Sequence, residues 1–349
     1  MDARPFAEPQ KAFEKLRAEI ARLGLNRKRP GQVLWEAGMF AFLLAASIVL
    51  MLSAHSALAV AAGAAGVLLG TVGLATNAHT SAHGATSDKP WLNALLTWLG
   101  FSVVSSISTT YWRHKHNVLH HQHPNEDLVD PDHEFTPHFA LAEPQEERLS
   151  FLARKLRPLQ AFLFPLATGF LIPNMASIGV VHTFKVLGKS KFKDSKAVID
   201  LAGLALSVLA WWVVPLFFAS PLRVLLLNTV RLIAGSYIFF AIFAPAHLPH
   251  EASFFPKGGL PKDWFSRQLA TTLNFRAFPV ARVFLSGLSY QIEHHLFPGV
   301  PHHQLPRIAP LVRKACEEAG IPYRELSWHG AVWKCVLVGY RPKRLANLI

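Results

Sequence analysis

The sequence predicts an all-α integral membrane protein, with four transmembrane helices in two hairpins, further interfacial helices and a histidine-rich cytoplasmic cap. Three observations predict it. Of 349 residues, 51% are hydrophobic, and they fall into uncharged runs of about 20 residues, the length that spans a bilayer. Basic residues crowd the segments flanking those runs. Histidine is abundant, with 18 residues, many of them paired where apolar runs end.

Residues 1–32 carry charges of both signs and are too polar for a signal-peptide core. They read as a cytoplasmic N-terminal arm. The first span is expected over 33–53, with Trp35 and Glu36 at its start, and the second over 57–78. So few residues separate them that they form a hairpin, and the Ala and Gly content of the second suits close helix packing. A third apolar stretch, 91–111, is rich in Ser and Thr, and a fourth, 158–181, is interrupted by Pro165 and Pro173. The last two spans, 199–218 and 222–246, meet at a break marked by Ser220 and Pro221. The membrane domain then covers 33–310, followed by a cytoplasmic tail over 311–349.

Formal net charge is +13. In a soluble chain that balance would raise nucleic acid as a partner. Here the cations flank apolar runs, so the partner they imply is the membrane surface. They gather before the first run, between Lys185 and Lys196, and after residue 250, whereas the short hairpin turns hold little charge beyond Arg223. The positive-inside rule puts the N-terminus, the lysine link and the tail in the cytoplasm. The third and fourth stretches then begin and end on one side, and are expected to lie in the interface or to dip in and return. Arg231, inside the last span, is expected to snorkel to the outer surface. Cys316 and Cys335 have no metal-ligand spacing and make no disulfide framework.

Three histidine clusters sit at membrane exits. His79 and His83 are four residues apart and share one helix face. His116, His120 and His121 form the densest group; His120 and His121 differ by about 100° around an α-helix, so they can address two different ions. His294 and His295 repeat the paired pattern, with Gln291 three residues earlier where a histidine could stand, and His247 follows the last span. One ion takes about four to six ligands, so eight converging histidines imply a dimetal site in the cap. Imidazole-rich sites suit iron, zinc or copper.

These residues resemble the histidine boxes of the membrane-bound fatty acid desaturase family: His-x-x-x-His, His-x-x-x-His-His and Gln-x-x-His-His, in order along about 35–310. The run Gln-Ile-Glu-His-His-Leu-Phe-Pro over 291–298 is similar to the third box of front-end and related acyl-lipid desaturases, as are Asn125 and Asp130-Pro131-Asp132. The resemblance implies a four-span fold whose cap holds two non-haem irons. It suggests His79, His83, His116, His120, His121, His294 and His295 as ligands, His247 as the additional one, and Gln291 as a replaced or water-mediated ligand. It departs from the family at Thr80, where the first box usually has Asp. The carboxylate that orients a ligand must then come from elsewhere, with Asp88, Asp130, Asp132 and Glu251 as candidates. The haem motif His-Pro-Gly-Gly of fused cytochrome domains does not occur, so a separate ferredoxin-like or cytochrome donor is expected.

The implied reaction is O2-dependent insertion of a double bond into a fatty acyl chain carried by a lipid, coenzyme A or a carrier protein. An unactivated methylene offers no acidic proton, so hydrogen must leave by redox chemistry that the metals supply. A lipid, alkane or carotenoid hydroxylase or ketolase would use the same site and gain oxygen instead. A metal transporter is a third reading, disfavoured because transporters place ligands near the bilayer midplane; a lipid-binding protein with a structural zinc site is a fourth.

Overall fold

The computed structural model describes residues 8–346; the expectations for 1–7 of the arm and 347–349 of the tail lie outside the described residues. Helix α1 (Pro9–Arg22) presents Ala12, Phe13, Leu16 and Ile20 as one buried stripe. The first hairpin is α2 (Pro30–Ser53) and α3 (Ala57–Ala82), joined at Ser56, whose side chain caps α3 by accepting from Ala59 N. The two helices touch along glycines of α3. A Cβ on Gly63 would lie 2.8 Å from the backbone of Met51, and one on Gly70 would lie 2.9 Å from the backbone of Leu44. The small-residue packing expected of this helix is therefore real.

The third apolar stretch becomes α4 (Pro90–Ser105) and α5 (Thr109–His120), bent by 115° at their break. The break is held by two buried charges. Asp200 accepts from the hydroxyls of Ser102 and Ser108 at 2.6 Å and from the amides of Thr109 at 3.0 Å and Thr110 at 2.9 Å. It thus caps the start of α5, where amides lack partners and negative charge is favoured. Arg231 does the converse at the end of α4, donating to the Val104 carbonyl at 3.1 Å and to Ser106 Oγ at 2.9 Å. It does not snorkel to a surface: it is 2% exposed, with its guanidinium 4.4 Å from the Trp211 ring centre. The orphaned carbonyl at a broken helix end gives the charge an interior partner.

A short helix α6 (Phe151–Lys155) precedes α7 (Arg157–Thr168) and α8 (Leu171–Lys189), a second bent pair at 72°. The second hairpin is α9 (Ser195–Phe217) and α10 (Pro221–Ala246). Among the described residues, four helices are thus long and apolar enough to cross a membrane, and the two bent pairs are the expected interrupted elements. The helices overrun the apolar windows: α3 continues through His79 to Ala82, with His83 as its C-cap, and α9 begins earlier because Asp194 caps it, accepting from Lys196 N and Ala197 N.

The cap is built from α11 (Trp264–Thr271), β1 (Asn274–Arg276), α12 (Pro279–Leu285), α13 (Gln291–Leu296), α14 (Leu305–Ala319), β2 (Glu325–Ser327) and α15 (Trp328–Tyr340). The two strands pair in parallel, Phe275 opposite Leu326. The buried stripe of α1 joins Phe265, Leu269, Ile292, Leu296, Ile308, Val312 and Cys316 in one apolar core. That core grips α13 from one side and leaves its histidines for the other.

Candidate metal centre

All eight histidines singled out in the sequence meet in one buried place. Ligand-capable nitrogens of His79, His83, His116, His121 and His294 lie within 4.8 Å of one another, and those of His120, His247 and His295 form a second group on the same criterion. Asp132 forms a third with His116 and His120. Two groups able to hold a metal therefore lie side by side: the His121 and His295 rings stack with centres 4.3 Å apart.

The second box divides between the groups for a local reason. Residues Arg113–His120 of α5 are wound as a π-helix, in which residues five apart stack, and His121 N donates to the His116 carbonyl at 3.0 Å. His116 Nε2 consequently lies 3.2 Å from His121 Nε2, and 2.8 Å from His79 Nε2. In an α-helix His116 would have shared its face with His120; the extra residue per turn gives it to His121 and sends His120 to the other group.

Three of the histidines have their outer nitrogen fixed. His120 Nδ1 donates to Asp130, with oxygens at 3.0 and 3.1 Å. His247 Nδ1 donates to the Thr271 carbonyl at 3.2 Å. His295 Nδ1 donates to Gln268 Oε1 at 2.9 Å, and Gln268 Nε2 donates to the His121 carbonyl at 3.0 Å, which sets the amide's orientation. Each tautomer therefore leaves Nε2 unprotonated and able to bind a metal. Of the four carboxylates considered for this orienting task, Asp130 performs it: it is 1% exposed and also accepts from Asn125 N at 2.8 Å. Asp88 pairs with Lys28, Asp132 with Lys115 and Glu251 with Lys334.

Electrostatics favour neutral ligands. Burial, and then neighbouring imidazoles, hold His121, His294 and His295 well below the ordinary imidazole value. Burial brings His83 down to about 3. Burial opposes ionisation of Asp130, but His120, His133 and the Asn125 amide outweigh it and keep the carboxyl below its ordinary value. Glu293, between the ligand pair and the cap core, is pushed up to about 7 by burial, against hydrogen bonds from Asn274 and Tyr323.

Several buried ring nitrogens have no hydrogen-bond partner: His83 Nε2, His121 Nδ1, His294 Nε2 and His295 Nε2, together with Gln291 Oε1. Leaving each such group bare costs about 1–3 kcal/mol. The nitrogen spacings of 2.8 and 3.2 Å also match ligands on one ion, since bonds of about 2.1 Å at right angles place nitrogens about 3.0 Å apart. The residues present fit a metal.

The centre opens on a cavity of 610 Å3, within the range of about 300–1,000 Å3 usual for small-molecule sites. His116, His120, His247 and Gln291 line it near the metal groups, Phe135, Phe164, Phe240 and Phe243 line its apolar body, and Lys115, Asp132 and Glu134 add charge. Gln291 lines the cavity beside these histidines, with its buried Oε1 free of a hydrogen-bond partner.

Sequence reasoning missed Gln268, Thr271 and Asn274, which carry no motif and act from separate elements. His302, set apart from the boxes, bridges Thr80 Oγ1 at 3.0 Å and Glu36 at 2.8 Å, so it braces the first box against α2. His182 stacks on His114, 5.1 Å between centres, away from the centre.

Spans, bent pairs, a histidine-built centre and an apolar cavity together define a helical integral membrane protein with a metal-binding site for a long apolar substrate. A family model described as Fatty acid desaturase matches residues 56–327. The chain belongs to that family, and so to the oxidoreductases that desaturate fatty acyl chains. It is 31% identical over 340 residues to Delta(8)-fatty-acid desaturase 2 of Arabidopsis thaliana, covering 92% of this chain and 72% of that one. Two proteins, each named sn-1 linoleoyl-lipid 6-desaturase, are 28% identical: the match to that of Arthrospira platensis covers 70% of this chain and 67% of that one, and the match to that of Synechocystis sp. covers 84% and 80%.

Proposed function

We propose that the chain is a diiron, O2-dependent acyl desaturase, with His79, His83, His116, His121 and His294 holding one iron and His120, His247 and His295 the other. The observation that carries this is the pair of adjoining buried histidine groups, each with partnerless ring nitrogens, at the end of an apolar cavity. The balanced reaction converts –CH2–CH2– to –CH=CH–, with O2, two electrons and two protons becoming two waters. Bound there, the irons would supply the activation of O2 that removes hydrogen from an unactivated carbon.

The protein's part is positional. Asp130, Thr271 and Gln268 hold the Nδ1 protons of His120, His247 and His295, so those rings present Nε2. The phenylalanine-lined cavity aligns an acyl chain beside the centre and excludes water. The carrier is a lipid, coenzyme A or a carrier protein, and a ferredoxin-like or cytochrome donor brings the electrons. The basic segments favour a cytoplasmic centre and termini, and the functional unit is the membrane domain over 33–310 between the arm and the tail.

The test is product analysis by gas chromatography and mass spectrometry, comparing wild type and His294→Ala in a host rich in saturated acyl chains. We expect a new unsaturated species, two mass units below its precursor, with wild type only. A product sixteen units heavier would make the protein a hydroxylase, and equal products from both would remove His294 from the site.

A further inference from the structure

Lys343 lies beyond residue 327, where the family match ends. Its side chain is among the largest that are wholly enclosed, and its Nζ donates to the carbonyl of His247 at 2.9 Å. The surrounding tail is stitched to the cap: Lys343 N donates to the Leu141 carbonyl at 2.9 Å, Glu143 N donates to the Lys343 carbonyl at 2.9 Å, and Ala346 N donates to the Phe254 carbonyl at 2.7 Å.

Enclosing an ammonium is costly, and lysine is almost never fully buried without a partner. Here it meets the end of a helix. Helix α10 ends at Ala246, and His247 leaves helical conformation at φ −128°, ψ −33°. The last carbonyls of a helix lack intrahelical donors and carry the negative end of its dipole. Lys343 brings a hydrogen-bond donor to that point. Asn125 Nδ2 adds a second donor to the same carbonyl at 3.1 Å, while Thr271 holds the ring. The backbone that aims His247 is therefore clamped, in part, from the far end of the chain.

We propose that Lys343 is a positioning residue that holds His247 in register with His120 and His295. The inference rests on the reading that these three histidines bind a metal. Without the Lys343 donor, the end of α10 can turn and the second metal group loses a ligand.

The experiment uses full-length protein in detergent, loaded with ferrous iron without oxygen. Iron per chain is measured by mass spectrometry, and the melting temperature is measured for the metal-free form. Lys343→Met should retain roughly half the wild-type iron, as expected if one site weakens 10–100-fold. Lys343→Gln, whose amide can still donate, should recover part of it. Both should melt, metal-free, close to wild type. Arg344→Ala, whose exposed partner is Glu143 at 3.2 Å, should bind as wild type. Full iron in Lys343→Met would overturn the proposal. So would equal losses in Arg344→Ala, or losses that only follow a lowered metal-free melting temperature. A wild type that takes up no iron would overturn the metal reading itself, a distinct result.

Discussion

Asp130 joins two histidines of the second group, His120 and His247. Its carboxylate accepts hydrogen bonds from His120 Nδ1 and the amide of Asn125, and the Asn125 side chain donates to the carbonyls of His247 at 3.1 Å and Thr271 at 3.1 Å. Thr271 in turn holds His247 Nδ1. Asp130→Asn keeps the shape but replaces an ionised acceptor with an amide, so metal affinity and turnover should fall about 10–100-fold, the usual effect of losing such a partner. Metal titration of the purified variant reads this directly, and wild-type affinity would exclude the assignment. Residue type was informative for the ligands, because paired histidines at membrane exits are hard to explain by packing. It was silent for Gln268, Thr271 and Lys343, whose roles depend on neighbours far along the chain.

The break between α4 and α5 shows how an element aims a ligand. Helix α5 carries the second box, and its direction is set at Ser106, where the backbone turns left-handed at φ 59°. Asp200 and Arg231 satisfy the two helix ends exposed by that turn. Asp200→Ala would leave two hydroxyls and two amides without their acceptor, and should cost about 3 kcal/mol or more. Thermal unfolding in detergent should show a large drop for Asp200→Ala and a smaller one for Asp200→Asn; an unchanged melting temperature would refute the capping role. At the first hairpin, Gly70→Leu has no room against Leu44. It should separate α2 from α3 and lower the yield of folded protein, as measured by gel filtration. The glycines were legible as packing residues. The π-winding over Arg113–His120 was not, because it needs the histidines' final neighbours to stabilise an otherwise rare turn.

For the molecule as a whole, the buried histidines make stability depend on pH. His121, His247, His294 and His295 are held well below the ordinary imidazole value, by burial first. In the unfolded chain they take up protons near a pH of about 6.5, whereas in the fold they do so only at much lower pH. Below a pH of about 6.5 the unfolded state therefore binds more protons, so stability falls as pH falls. The melting temperature of the metal-free protein should therefore be level above neutrality and decline on acidification below a pH of about 6.5. A flat profile down to a pH of about 5 would contradict the buried, neutral imidazoles. The sequence by itself determined the helical membrane class, the four spans and the histidines that gather, because run length, basic flanks and paired imidazoles are local features that only a bilayer and a metal reconcile. Tertiary structure decided which histidines share a group, which side chains hold them, where Arg231 lies and how the tail returns to His247. Those depend on helix winding and on contacts between residues tens to hundreds of positions apart, which no local pattern records.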